Sequence, residues 1–176
     1  MAKRPGAREK TPRQTMPEQA PEVRRRNFDE VPLGYSQQQA QLEASRCLQC
    51  RKPSCVEGCP VSVDVPGFIA LINEGDLTSA IRHVWQKNAL PAVCGRVCPQ
   101  EIQCEGLCVL GKKDSPVAIG NLERYVADYE RHFGSGDLPP KAAPTGKRVA
   151  VVGSGPSGLT VAGDLIVKGH EVTVLE

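Results

Sequence analysis

Eight cysteines fall in two runs, and their spacing is that of metal ligands. The first run is Cys47-x2-Cys50-x4-Cys55-x3-Cys59, followed directly by Pro60. The second is Cys94-x3-Cys98-x5-Cys104-x3-Cys108, with Pro99 after Cys98. A cuboidal iron–sulfur cluster needs four ligands converging on four irons, and a loop of closely spaced cysteines supplies most of them. A proline after a cysteine turns the chain away from the cluster. The spacing is close to the bacterial ferredoxin run, whose last cysteine, the one before proline, binds the other cluster. On that analogy Cys47, Cys50 and Cys55 hold one cluster with Cys108 crossing back to them. Cys59 then joins Cys94, Cys98 and Cys104 about a second. The plainer alternative gives each run its own cluster. Zinc competes with both, since it too takes four thiolates. Zinc ribbons pair two CxxC knuckles, however, and Cys47–Cys50 is the one CxxC in the chain. The spacing therefore favours iron–sulfur.

A second constellation is the turn Gly153-Ser154-Gly155-Pro156-Ser157-Gly158, which follows RVAVV and opens a helical pattern. In this GxGxxG arrangement the first glycine permits the tight turn. The second lets the backbone approach a pyrophosphate, and the third allows close helix–strand packing. Unpaired N–H groups at the helix start then face the phosphates. Glu176 closes the next strand, where an acidic side chain accepts hydrogen bonds from an adenosine ribose. Strand, turn, helix, strand and acid occur in order, which lifts the motif above a chance match. It does not separate FAD from NAD(P).

The elements that must position these groups follow from pattern and punctuation. Ser36 is a helix N-cap for a segment through Arg46, with Ala40, Leu42 and Ala44 available for burial. Residues 66–90 read as one or two helices, with Gly75 as the break between the two. Phe68, Ile69, Leu71 and Ile72 form the apolar face of the first; Leu77, Ile81 and Val84 recur on the second, which Asp76 can cap. Pro116 starts a third helical pattern carrying Ile119, Leu122 and Val126. Residues 134–146 are rich in Gly and Pro and read as a linker. RVAVV, a helix over Leu159–Lys168 and a strand over Glu171–Glu176 follow. The expected organisation is a basic, partly disordered arm (1–26), a helical iron–sulfur domain (27–133), the linker, and the start of a dinucleotide-binding α/β domain (147–176). One strand–helix–strand unit cannot cover both faces of a parallel sheet, so the chain reads as truncated.

Composition excludes several classes. The net charge of +2 across 176 residues gives no case for nucleic acid. The early Arg and Lys residues carry no interleaved aromatics before Phe28 and read as a solvated arm. No apolar stretch approaches the ~20 residues that span a bilayer, and the first thirty residues lack a signal-peptide h-region. A cytoplasmic location is expected, where cysteines serve better as metal ligands than as disulfides. No acid–base or nucleophilic residue stands out. His83, His132 and His170 are remote from the cysteines in sequence, and Trp85 reads as a packing anchor.

RCLQC, GCPV, LPAVCGRVCPQ, QCEGLCVLGK and PVAIGNLERYVAD resemble the N-terminal domain of the glutamate synthase small (beta) subunit family. MPEQAPEVRRRNFDEVPLGYS resembles the branch with the single-chain glutamate synthase-like oxidoreductases and the large subunit of NADH-dependent ferredoxin:NADP oxidoreductase. Sulfide dehydrogenase and the N-terminal part of dihydropyrimidine dehydrogenase are more distant. The resemblance implies an all-α, α-helical ferredoxin-like domain with two [4Fe–4S] clusters. A Rossmann-type FAD domain with an inserted NAD(P)H domain would follow it, and Gly153, Gly155, Gly158 and Glu176 match its FAD fingerprint. It implies electron flow from NAD(P)H to FAD and through the clusters to a partner subunit. That partner is either glutamate synthase large subunit-like or ferredoxin:NADP oxidoreductase small subunit-like. It also makes Glu123 a rival of Cys94, because some relatives place a Gln or Glu ligand there. A zinc-stabilised module that docks a partner and carries no electrons is the rival of another class.

Overall fold

The structure is a computed structural model that describes residues 11–134, 136 and 139–176. It is mostly helical, with one small two-stranded parallel sheet. The reading of an arm at 1–10, and of linker residues 135, 137 and 138, lies outside the described residues.

The helical portion begins with a short α1 (Pro21–Arg24) and α2 (Gln37–Ser45). Ser36 caps α2 in a reciprocal box: its hydroxyl accepts from the Gln39 N–H, and the Gln39 side chain accepts from the Ser36 N–H. A one-turn α3 (Ser54–Glu57) carries Cys55 of the first run. α4 (Val65–Glu74) is capped by Asp64 and stops at Gly75, whose φ of 80° is left-handed. That conformation suits glycine and ends the helix. α5 (Leu77–Trp85) starts immediately after, with the Asp76 carboxylate accepting from the Ser79 N–H at 3.0 Å. α6 (Pro91–Val97) carries Cys94, and the long α7 (Ile119–Phe133) closes the portion.

Phe68, Ile69 and Ile72 from α4, Ile81 and Val84 from α5, and Leu122 and Val126 from α7 are fully buried together with Ala40 and Ala44 of α2. Trp85 packs partly buried against this core, as an anchor would. Leu42 departs from the expected burial and is 40% exposed. The inward position beside Ala44 belongs to Glu43, which is fully buried.

Glu43 explains two further departures. Its Oε1 accepts from Arg46 Nη1 at 2.6 Å and from the Ala118 N–H at 2.8 Å, and its Oε2 accepts from the Gln14 N–H at 2.6 Å. Arg46 donates in turn to the carbonyls of Thr11, Ser115 and Pro116. Residues 115–118 are thereby held outside the helix, so α7 starts at Ile119 and not at Pro116. The described part of the expected arm is likewise held down. Arg13 bonds Glu105 and the Pro116 carbonyl, Tyr35 donates to the Gln14 carbonyl at 2.6 Å, and Met16 packs on the core.

The rest is β1 (Arg148–Val152), α8 (Pro156–Val167) and β2 (Glu171–Leu175), the strands parallel with Arg148 opposite Glu171 and Val152 opposite Leu175. α8 begins three residues earlier than its apolar pattern suggests, because Pro156 is pre-set for the first turn. This unit buries little: Val151 is enclosed, while Val152 is 85% exposed and no residue of α8 is buried.

The buried pair yields a stability test. Replacing Glu43 by Ala leaves Arg46 charged in the core, and such a loss costs about 3–5 kcal/mol. Urea denaturation should show the midpoint fall accordingly. A change below ~1 kcal/mol would mean that the pair adds no more than an exposed one.

Candidate functional site

The structure sorts the cysteines by place and not by run. Cys47, Cys50 and Cys55 line one pocket together with Cys108. Its remaining wall is apolar, including Val65, Ile69, Leu110 and Ile119. Elsewhere Cys59 lies near enough to act electrostatically on both Cys98 and Cys104, with Cys94 against Cys98 and the Glu123 carboxylate acting on both Cys98 and Cys104.

Local contacts bring Cys108 toward the first run and Cys59 toward the second. The Ser54 hydroxyl donates to the Leu107 carbonyl at 3.0 Å, which seats Cys55 beside Cys108. A Cβ on Gly58 would come within 2.8 Å of the Gln103 carbonyl oxygen, so at Gly58 the two runs touch backbone to backbone. Their neighbours Cys59 and Cys104 are thereby brought together. Gln49 and Ser62, at φ of 49° and 55°, take left-handed conformations that non-glycine residues adopt at a cost of roughly 1 kcal/mol. Gln49 is steadied by its side chain donating to the Pro66 carbonyl at 3.1 Å. The turn at Ser62 aims the Val63 N–H at Cys59 Sγ, 3.5 Å away.

Burial sets the chemistry of these thiols. It pushes Cys55 up to about 11, with Cys108 and Cys47 adding to the shift. It pushes Cys98 up to about 11, with Cys94 next in effect, and Cys104 up to about 12, reinforced by Glu105. Burial likewise raises Glu123 to about 7, against the hydrogen bond from Asn88. Groups so placed are held as anions by a cation that arrives with displacement of their protons. Among the described residues no three His, Cys, Asp or Glu side chains are placed to hold a single metal ion. A cuboidal cluster asks for a wider ring, because each ligand binds a separate iron.

Sequence reasoning missed the residues that hold the second group. Gly95 lets α6 rest on α7: a Cβ there would lie 2.7 Å from the Arg124 backbone N. That approach sets Cys94 beside Glu123. Arg96 of α6 fastens it by bonding both Asp128 of α7, at 2.8 Å, and Glu30, at 2.6 Å, and Arg124 joins the same pair of carboxylates. Charged residues one turn apart on α7 were visible, but Arg96, which reaches Asp128 across 32 residues, was not. Asn88, which bonds Glu123, gave no signal either.

In the glycine turn, φ of 97° at Gly153 requires glycine, and a side chain on Gly158 would strike the Gly153 carbonyl. Gly155 is different. Its φ of −67° suits any residue and the space around it is open, so nothing in the protein itself demands a glycine there. Gly153, Gly155, Ser157 and Gly158 line one groove. Glu176 accepts from both the Ser154 N–H, at 2.6 Å, and the Ser154 hydroxyl, at 2.8 Å. These bonds hold its carboxyl below the ordinary range.

The arginine–carboxylate clamp predicts an acid sensitivity. Burial acts to raise Asp128, but Arg96 and Arg124 outweigh it and leave it below the ordinary 3.8. Arg96 first, then Arg124, holds Glu30 below 4.5 against burial. A carboxyl depressed on folding stabilises the protein above its unfolded value, and that share is lost as the pH falls through the folded one. Thermal melting should therefore decline between about pH 5 and about pH 3. Asp128→Asn should melt lower at neutral pH and decline less on acidification. Equal slopes for the two proteins would contradict the clamp.

Comparison with known proteins places the chain. The family model described as dihydropyrimidine dehydrogenase domain II, 4Fe-4S cluster, matches residues 24–135. The chain is 39% identical over 160 residues to the glutamate synthase [NADPH] small chain of Escherichia coli (strain K12), covering 91% of this chain and 34% of that one. It is 38% identical over 167 residues to its counterpart in Azospirillum brasilense, covering 93% and 34%. The NAD-dependent dihydropyrimidine dehydrogenase subunit PreT of Escherichia coli (strain K12) is 38% identical over 149 residues, covering 85% and 36%. The chain thus spans about a third of the length of these curated relatives. No helix of the described residues is long and apolar enough to cross a membrane. With its cysteines paired off between two runs and its core built on α4, α5 and α7, the chain belongs to the 4Fe–4S domain family of dihydropyrimidine dehydrogenase domain II, among the relatives of the glutamate synthase small subunit.

Proposed function

We propose that this chain is the electron-transfer part of an NAD(P)H-dependent flavin and iron–sulfur oxidoreductase resembling the glutamate synthase small subunit. Two [4Fe–4S] clusters would be held, one by Cys47, Cys50, Cys55 and Cys108, the other by Cys59, Cys98, Cys104 and either Cys94 or Glu123. The observation that carries the reading is the sorting of thiols into two groups that each draw on both runs. When bound, such clusters supply one-electron transfer with little rearrangement.

The residues of the chain then position and tune. The apolar wall of the first pocket keeps water from the Cys47 group. The Val63 N–H, directed at Cys59 Sγ, stabilises negative charge on that sulfur. The groove at Gly153–Gly158 offers room and helix-terminal N–H groups for the pyrophosphate of FAD, with Glu176 toward the ribose. The open apolar faces of β1, α8 and β2 support a place in a larger Rossmann-type sheet. NAD(P)H would bind elsewhere in such an enzyme.

Apolar residues beside the cysteines support a partner subunit. Val97 and Ile102 are 71% and 77% exposed, and Leu48, Val61 and Leu107 also face out. Such surface next to a redox group is suited to being covered. The partner would be glutamate synthase large subunit-like or, alternatively, ferredoxin:NADP oxidoreductase small subunit-like, in a cytoplasmic enzyme with no part for nucleic acid or membrane.

Anaerobic purification followed by metal and sulfide analysis tests the reading. About eight irons and eight acid-labile sulfides per chain, with broad brown absorbance, are expected for two cubanes. About two zincs without sulfide would overturn it in favour of a zinc-stabilised docking module.

A further inference from the structure

His83 lies on α5, and its ring reaches across to the start of α4. Its Nε2 bonds Asp64 Oδ2 at 2.9 Å. A carboxylate can only accept, so the nitrogen that faces it carries the hydrogen. The other oxygen of Asp64 accepts from the Gly67 N–H at 3.2 Å and caps α4. Gly67 makes room for the pair: a Cβ there would strike both the Asp64 carboxylate and the His83 ring. Two helices are thus joined through one side chain of the turn between Cys59 and α4.

That same turn serves the sulfur of Cys59. Ser62 sits at a left-handed φ of 55°, a conformation that a non-glycine residue keeps only where its surroundings hold it. The Ser62 N–H donates to the Cys59 carbonyl at 2.9 Å, and the Val63 N–H is aimed at Cys59 Sγ at 3.5 Å. Val63 and Val65 are buried on either side of Asp64, which itself faces outward. Their burial fixes where the segment lies. The Asp64 carboxylate, held from α4 and α5 at once, fixes its twist. An amide directed at a cluster sulfur favours the reduced, more negative form, so its loss lowers the potential. We propose that His83 is a positioning residue for the cluster that Cys59 joins: through Asp64 it holds the 62–64 turn so that the Val63 N–H stays on that sulfur. The Cys47 pocket meets this segment through Val65 and Pro66, which the core and the Gln49 amide hold without His83, so its cluster should not follow. The inference rests on the iron–sulfur reading above.

The test uses the purified protein reconstituted with iron and sulfide without oxygen. It reads iron content, the electron paramagnetic resonance spectrum of the reduced form, and a redox titration. His83→Ala should retain about eight irons and lower the potential of one cluster, leaving the other at its wild-type value. Cys59→Ser marks, by loss or shift, which signal belongs to the cluster in question. His83→Gln can still donate to Asp64 and should restore the wild-type potential. The proposal is overturned if His83→Ala keeps both wild-type potentials or lowers that of the other cluster instead. It is overturned equally if His83→Gln is as low as His83→Ala, or if His83→Ala sheds iron or shifts both clusters together, as a general loss of packing would. A wild-type protein that takes up zinc and no sulfide would sink the iron–sulfur reading itself, a result distinct from any of these.

Discussion

A carboxylate with no exposed surface must have its lone pairs answered, and the way Glu43 is answered organises much of the helical portion. Its partners come from three stretches of chain: Gln14 near the start, Arg46 one turn on, and Ala118 ahead of α7, with Arg46 reaching Thr11, Ser115 and Pro116 in turn. Removing water from these charges is costly, and the cost is offset only where every donor is in place. The pair therefore acts as a registration point. It fixes the end of α2, from which Cys47 follows directly. It also fixes the segment that returns from Cys108 toward α7. The two ends of the first thiol group are held from one place.

The contrast with the β1–α8–β2 unit is one of solvent. The helical portion encloses Phe68, Ile69, Ile72, Ile81, Val84, Leu122 and Val126 completely. The unit that follows leaves Leu159, Val161, Val174 and Leu175 more than a third exposed. Its order rests on backbone pairing between β1 and β2 and on the turn at Gly153, features that need few neighbours. The glycine turn can therefore be shaped correctly while its surroundings remain open.

Much of this was legible in the sequence where the cause is local. Caps at Ser36 and Asp76 act over three residues, and the stop at Gly75 acts at one. The apolar periods of α4, α5 and α7 pointed to the core correctly because burial on a helix follows its own repeat. Reading failed where a distant partner decides. Nothing beside Leu42 says that its neighbour Glu43 will go inward, since that depends on Arg46 and on the distant, non-helical residues 115–118. Residues 11–20 looked like solvated arm by composition, yet Arg13 finds Glu105 across 92 residues. Asn88 looked like an ordinary helix-end residue, and only the approach of α7 gives it a task. The cysteines lie between these extremes: their type and spacing announce the chemistry, while their grouping depends on contacts such as Gly58 on Gln103.

That grouping has a topological side. Ser54 and Leu107 stand 53 residues apart, and closing a loop of that length costs an unstructured chain on the order of 3–4 kcal/mol. Each thiol group spans the same loop. Whatever ties the first group together has already drawn the ends of the loop close for the second, so the entropy is lost once and shared. Two occupants of these groups would behave like two rivets through the same pair of plates: the first is hard to set, and the second finds its holes aligned.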